Sequence, residues 1–196
     1  MSKKKLLIFL ILFFLTTAKS FSIEPDIFVQ STVNRASKLL AENISKDQKI
    51  EKLKSIAKDT VDIRGISFYT LGSKRKDLND SEKRQYTELF EQYFLKSFSS
   101  RLAEYTNPEI EVTNKEKLSE NYTIVNSTLK ATSERPEIKI DWRIYTKDPD
   151  NPLIRDLIIE GLSLARTQKE EFASILNSNN GDIKALFKVL EEFSNK

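Results

Sequence analysis

Apolar residues recur at helical spacing through the first half of the chain and at alternate positions in parts of the second, and this change of period divides the expected fold. From Asp26 to Glu42, the residues Phe28, Val29, Val33, Ala36, Leu39 and Leu40 share one helical face. A second helix is predicted from Asp47 to Val61, with Ile50, Leu53, Ile56, Ala57 and Val61 inside and Lys49, Lys52, Lys54 and Lys58 largely outside. A short apolar segment, Ile63 to Leu71, stops at Gly72. The strongest helix starts at Asn79, where Glu82 three residues on completes a capping-box pattern. It is expected to end near Asn107-Pro108, because the residue before proline is pushed out of the helical region. Tyr86, Leu89, Phe90, Tyr93, Phe94, Phe98, Leu102 and Tyr105 give it a stripe too wide and too aromatic for a surface helix, so it must pack against a large apolar surface.

After Pro108 the period becomes two. Glu109 to Thr113 and Tyr122 to Ala131 are short and β-branched, and Ile138, Ile140, Trp142 and Ile144 alternate with Lys139, Asp141, Arg143 and Tyr145. The turn sequence Asp148-Pro149-Asp150-Asn151-Pro152 leads to Leu153 to Glu160, where Leu157 and Ile159 share one face and Asp156, Ile158 and Glu160 the other. Two amphipathic helices follow, Leu164 to Leu176 and Asp182 to Phe193. The predicted fold is α+β: N-terminal helices, an antiparallel meander of about four strands, and two C-terminal helices packed on a curved sheet.

The N-terminus follows a different rule. Lys3, Lys4 and Lys5 precede an apolar run from Leu6 to Leu15 and then the small residues around Ala18 and Ser20, the order of parts of a secretory signal peptide. As a helix the apolar run extends only ~15 Å, half of a ~30 Å hydrocarbon core, which disfavours a permanent anchor. Cleavage is expected after Ser20, or two residues later after Ser22, which makes residues 1–20 a leader and 21–196 one domain; no Cys follows to carry a lipid.

Removing the leader changes the charge. It takes four lysines and no acidic residue, so 32 basic residues fall to 28 against 29 acidic ones. A nucleic-acid binder keeps a basic excess to displace phosphate counterions, so the near-neutral mature chain argues against that class. The chain has no Cys and no His, which removes thiolate and imidazole metal ligands, disulfides, a catalytic thiol and a Ser-His-Asp relay. Four glycines leave little material for a phosphate-cradling loop. No metal, cofactor or catalytic residue is expected. The enzyme reading that survives is a carboxylate pair from Asp141, Asp156 and Glu160, yet Asp141 and Asp156 fall on separate strands with no sugar-platform pattern beside them. Glu160 reads equally as a solvated strand-end charge or as a hydrogen-bonded positioning residue, and Lys74-Arg75-Lys76 as a solvated loop or a docking site for a membrane or acidic partner. Taken by periodicity alone, the aromatic stripe is ordinary core.

Several segments in fixed order resemble the MlaC family of periplasmic phospholipid carriers of the Mla pathway, also known as toluene-tolerance or auxiliary transport proteins. They are Leu71-Gly72, the helix with Phe90, Phe94, Leu102 and Tyr105, Glu111-Val112, the run Asp156 to Leu164 with Glu160-Gly161-Leu162-Ser163 at its centre, and Phe172-Ala173. The similarity extends from about Phe28 to Phe193. The chain departs from that pattern at Lys74-Arg75-Lys76, at Asn151-Pro152-Leu153, and at Gln168-Lys169, where members tend to carry an aromatic-Arg pair.

The resemblance implies a soluble periplasmic carrier that encloses phospholipid acyl chains in an apolar cavity and maintains outer-membrane lipid asymmetry. Its partners would be an outer-membrane lipoprotein-porin complex and an inner-membrane ABC transporter complex with a lipid-conducting ring. The physical need is plain: two acyl chains hold roughly 30 methylenes, and at ~0.8 kcal/mol each their exposure to water costs on the order of 24 kcal/mol. The expected lining comes from Phe68, Leu71, Phe90, Phe94 and Phe98 on the helical side. Ile140, Trp142, Ile144, Leu157, Ile159 and Leu162 are expected to supply the sheet side. A periplasmic chaperone or adaptor holding an apolar peptide in the same groove is the alternative.

Overall fold

The computed structural model describes residues 22–195. The leader expected over residues 1–20 lies outside the described residues. Among those described, no helix is long and apolar enough to cross a membrane.

Helix α1 spans Pro25–Leu40 and starts with a proline in its first turn, where the missing N–H costs nothing. Helix α2, Lys46–Thr60, opens on a capping box in which the Ser45 side chain accepts from the Gln48 N–H and the Gln48 side chain reaches back. Helix α3, Ile63–Thr70, is capped by Asp62, and Gly72, with φ of +58°, stops it as its sequence suggests. A 3-10 turn over Gly72–Lys76 carries Lys74, Arg75 and Lys76 into helix α4, Asp80–Leu102, whose Asn79-Glu82 capping box is present.

Five strands then form an antiparallel meander in sequence order: β1 Ile110–Ser119, β2 Tyr122–Leu129, β3 Ile138–Tyr145, β4 Leu153–Ile159 and β5 Leu162–Ser163. Helices α5, Leu164–Ser178, and α6, Ile183–Asn195, close the chain. The architecture is α+β.

Three expectations change. Helix α4 ends at Leu102 rather than near Asn107. The chain leaves it early because Leu102, Ala103 and Tyr105 turn to cover a small cluster of Leu39, Leu40 and Leu53 between α1 and α2. Arg135 lies over the Tyr105 ring at 5.0 Å, which holds that turn against the β2–β3 connection. Strand β1 runs six residues beyond Thr113; its outer half is exposed and polar, so no apolar alternation marks it, and it is ordered by pairing with β2. The fifth strand is only two residues long, created by a tight turn in which Glu160 (φ +49°) and Gly161 (φ +82°) both take the left-handed conformation that closes a two-residue hairpin.

One main cluster joins the inner face of the sheet, including Val125, Ile140, Trp142 and Ile144, to Phe90 of α4, Phe172 of α5 and Leu186 and Leu190 of α6. Helix α4 packs along α2, α3 and α6, while α5 packs on α3 and β4. The sheet therefore meets the helical layer mainly through α1, α3 and α5, and a gap remains between α4 and the strands.

Replacing Asn79 by Ala removes the capping hydrogen bond that its side chain accepts from the Glu82 N–H. A loss of about 1 kcal/mol is expected, seen in a thermal melt as a midpoint lower by roughly 2–4 °C for a domain of this size; an unchanged midpoint would show that the cap does not set the start of the helix.

Candidate functional site

The gap is an apolar cavity of about 240 Å³. From α4, Phe90, Phe94 and Phe98 project into it one helical turn apart. Their rings form a ladder: Phe90 and Phe94 stack with centroids 6.1 Å apart, and Phe94 and Phe98 at 5.5 Å and 9° between planes. Phe90, 1% exposed, closes the deep end against Phe172 in an edge contact at 6.2 Å. Phe94 and Phe98 are only half-buried.

The opposite wall comes from the sheet. Trp142 of β3 lines it, held by its indole N–H donating to Ser127 Oγ at 2.8 Å, which leaves the apolar ring edge to the cavity. Beside it stand Leu157 and Ile154 of β4. Simple alternation would put residues 154 and 157 on opposite faces. They share one because Arg155 is an extra residue in β4: Trp142 pairs with Leu157 and Arg143 with Asp156, but Ile144 pairs with Ile154.

Two charged side chains stand at the bulge, Arg155 as the extra residue and Asp156 in register with Arg143. Arg155 donates to Asp62 Oδ2 at 2.6 Å and to the Tyr122 hydroxyl at 2.6 Å, and its guanidinium lies 3.8 Å above the Tyr145 ring. Gly65 makes this pairing possible, since a Cβ there would sit 2.3 Å from Asp62 Oδ2 and 2.9 Å from Arg155 Nε. Asp156 is buried at 4% exposure. Its carboxylate accepts from Ser163 Oγ at 2.6 Å and from the Ala165 N–H at 3.0 Å, and Arg143 approaches at 3.4 Å. A buried charge is tolerated here because it is paired and hydrogen-bonded at the N-terminus of α5, where the helix dipole favours an anion.

The mouth lies between α4 and α5. Ser97 and Arg101 border it on α4; Leu164, Gln168 and Glu171 border it on α5. The Tyr93 hydroxyl donates to Gln168 Oε1 at 2.8 Å and ties the two helices together. Burial pushes the Tyr93 phenol above its ordinary range, Glu171 adds to this, and the Gln168 hydrogen bond and Arg101 oppose it.

Of the sequence-selected residues, the structure brings Phe90, Phe94, Phe98, Trp142 and Leu157 around one cavity. Leu71, Ile140 and Ile144 are buried in the main core away from the lining. Phe68 packs on the edge of that core with Arg64 5.6 Å from its ring centroid, and Ile159 is half-buried opposite Ile140. Leu162 is 59% exposed, because the Glu160-Gly161 turn throws it outward. Sequence reasoning missed Ile154 and Arg155, which the bulge conceals. It also missed Arg101, although Arg101 continues the helical face of Phe94 and Phe98.

The carboxylates considered for acid-base work are each tied into the framework. Asp141 accepts from the Asn126 side chain at 2.8 Å, Asp156 holds α5, and Glu160 accepts from the Lys139 N–H at 2.5 Å. Glu160 is thus a positioning residue for the β3–β4 edge. Among the described residues no group of metal-ligating side chains converges. A second hollow, between α2 and α4, is bordered by Glu51, Lys54, Lys58 and Lys96 with Leu95 as its apolar contribution, which suits water better than hydrocarbon.

One protein family, described as MlaC protein, matches residues 30–192. The solved structure of a phospholipid-binding protein from Ralstonia solanacearum, in complex with a phospholipid, is similar with a TM-score of 0.74 and 17% sequence identity, covering 88% of this chain and 98% of that one. At that identity the likeness concerns the fold. No curated protein sequence matches the chain.

Asp156→Ala should cost about 2–3 kcal/mol in a urea titration, because the Ala165 N–H and the Ser163 hydroxyl lose their acceptor. Asp156→Asn, which keeps an acceptor oxygen, should lose clearly less; equal losses would mean that the hydrogen bonds are not what holds α5 to β4.

Proposed function

Because this chain belongs to the MlaC protein family, we propose that it is a phospholipid carrier whose cavity encloses acyl chains while the head group stays at the mouth. The observation that carries this reading is the ladder of Phe90, Phe94 and Phe98 facing Trp142, Ile154 and Leu157 across a gap that opens to solvent between α4 and α5. A core needs no opening, and a polar ligand needs no aromatic ladder. The phospholipid held by the Ralstonia solanacearum protein, which shares this fold, supports the same ligand class.

At about 240 Å³ the cavity lies just below the ~300–1,000 Å³ typical of ligand sites, so a full pair of acyl chains must widen it. The way to do so is legible in the packing. Helix α4 leans on other helices rather than on the strands, so it shifts outward without breaking the ladder hydrogen bonds of the sheet. Half-buried Phe94 and Phe98 would move with it and stay against the chains.

The work is a partition and makes or breaks no covalent bond. In this reading the protein operates in the periplasm behind a cleaved leader. It accepts lipid at one membrane complex and gives it up at another, between an outer-membrane lipoprotein-porin assembly and an inner-membrane ABC transporter with a lipid-conducting ring, and so maintains the asymmetry of the outer membrane.

Protein purified without detergent should release phospholipid on organic extraction, detected by mass spectrometry, and the intact complex should be visible in native spectra. Phe94→Glu should reduce lipid content at least tenfold, since a charge in hydrocarbon costs several kcal/mol, while circular dichroism confirms that the variant folds. Wild-type protein that carries no lipid and takes none from liposomes would overturn the proposal.

A further inference from the structure

Four charged side chains line the cavity: Arg101, Arg155, Asp156 and Glu171. Two of them are committed. Arg155 is bound to Asp62 and Tyr122, and Asp156 to Ser163 and the N-terminus of α5. The other two are not. Arg101 and Glu171 are both exposed at the mouth, one on α4 and one on α5, and neither forms an ion pair among the described residues. Glu171 is oriented by the Gln168 amide, which donates to its carboxylate at 2.9 Å. Gln168 in turn accepts from Tyr93, so the carboxylate is positioned by a chain of two hydrogen bonds across the mouth. Both charges act on the Tyr93 phenol, which places them around the same opening.

Their depth is also informative. From Phe90 at the closed end to Arg101 is eleven residues of continuous helix, ~16 Å at 1.5 Å per residue, and one leaflet of a ~30 Å hydrocarbon core is ~15 Å thick. A lipid with its chain ends against Phe90 thus brings its phosphate to the level of Arg101. A guanidinium offers the forked donors that match phosphate oxygens, and a carboxylate beside it is the natural partner of a primary ammonium.

We propose that Arg101 and Glu171 form a head-group site for zwitterionic aminophospholipids, with the phosphate on Arg101 and the ammonium on Glu171. This rests on the carrier reading above and adds selectivity to it. An anionic head group without an amine satisfies Arg101 but leaves its neutral end against Glu171, and its net negative charge is repelled by that carboxylate.

The test uses vesicles of equal parts phosphatidylethanolamine and phosphatidylglycerol with identical acyl chains. Delipidated protein is incubated with them, re-isolated, and its bound lipid quantified by extraction and mass spectrometry. Wild type should be enriched in phosphatidylethanolamine by roughly two- to fivefold, the range that one exposed ion pair supports. Glu171→Lys should reverse the enrichment toward phosphatidylglycerol, and Arg101→Gln should lower the retention of both lipids. Glu192→Gln, on α6 and outside the cavity, should alter neither. Lipid bound in the ratio of the vesicles, or a ratio that Glu171→Lys does not move, overturns the head-group site while leaving the carrier standing. Absence of any bound lipid in wild type overturns both.

Discussion

The structure depends on joining two apolar surfaces at one end, where Phe90 enters the core, and holding them apart at the other. An aromatic face on α4 and the inner face of the sheet would gain by collapsing together, because apolar surface left open to water is costly. Something must prop the gap. Helix α4 is carried by α2, α3 and α6, and the strands are spanned by α1, α3 and α5, so the two walls share α3 and otherwise rest on different helices. A ligand that fills the gap recovers the lost contacts, which couples occupancy to stability.

The bulge at Arg155 is the hinge of this arrangement. By inserting one residue it places Ile154 and Leu157 on the cavity side together, with Arg155 and Asp156 forming polar seams between them. One seam, Arg155 to Asp62, fastens the sheet to α3; the other, Asp156 to Ser163 and Ala165, fastens it to α5. Helices α3 and α5, which flank the gap, are therefore held by side chains from two consecutive residues of one strand. The charges sit where they satisfy backbone and hydroxyl partners.

Much of this was legible in the sequence. The Asn79-Glu82 capping box and the helical periods located the helices, and strict alternation placed Ile138 to Tyr145 as β3 with its observed limits. The aromatic stripe of α4 was evident, as was its need for a large apolar counterpart. What escaped has a physical cause in each case. The outer half of β1 is ordered by backbone pairing alone, so its side chains carry no apolar pattern. A bulge shifts the parity of a strand without a distinctive residue to announce it, which is why Ile154 went unnoticed. Leu162 shares the hydrophobicity of the lining, yet the left-handed pair Glu160-Gly161 reverses the chain just before it and turns it to solvent.

The exposed position of Leu162 beside the mouth residue Leu164, itself 41% exposed, bears on how a carrier of this kind would let go. Apolar burial is non-directional, so acyl chains are held about as well by a cavity of this lining as by a bilayer, and exchange between the two is nearly neutral in free energy. The barrier lies in the crossing, where each methylene that meets water costs ~0.8 kcal/mol. A rim of polar side chains alone would leave a wet gap at the moment of transfer. Leu164 at the α5 edge of the mouth would shorten that gap by presenting an apolar contact to whatever surface abuts it, while Arg101 and Glu171 would face the polar end of the lipid. In the carrier reading, the same opening would separate two tasks by chemistry: the apolar edge would ease the passage of the chains, and the charges would govern which head group accompanies them.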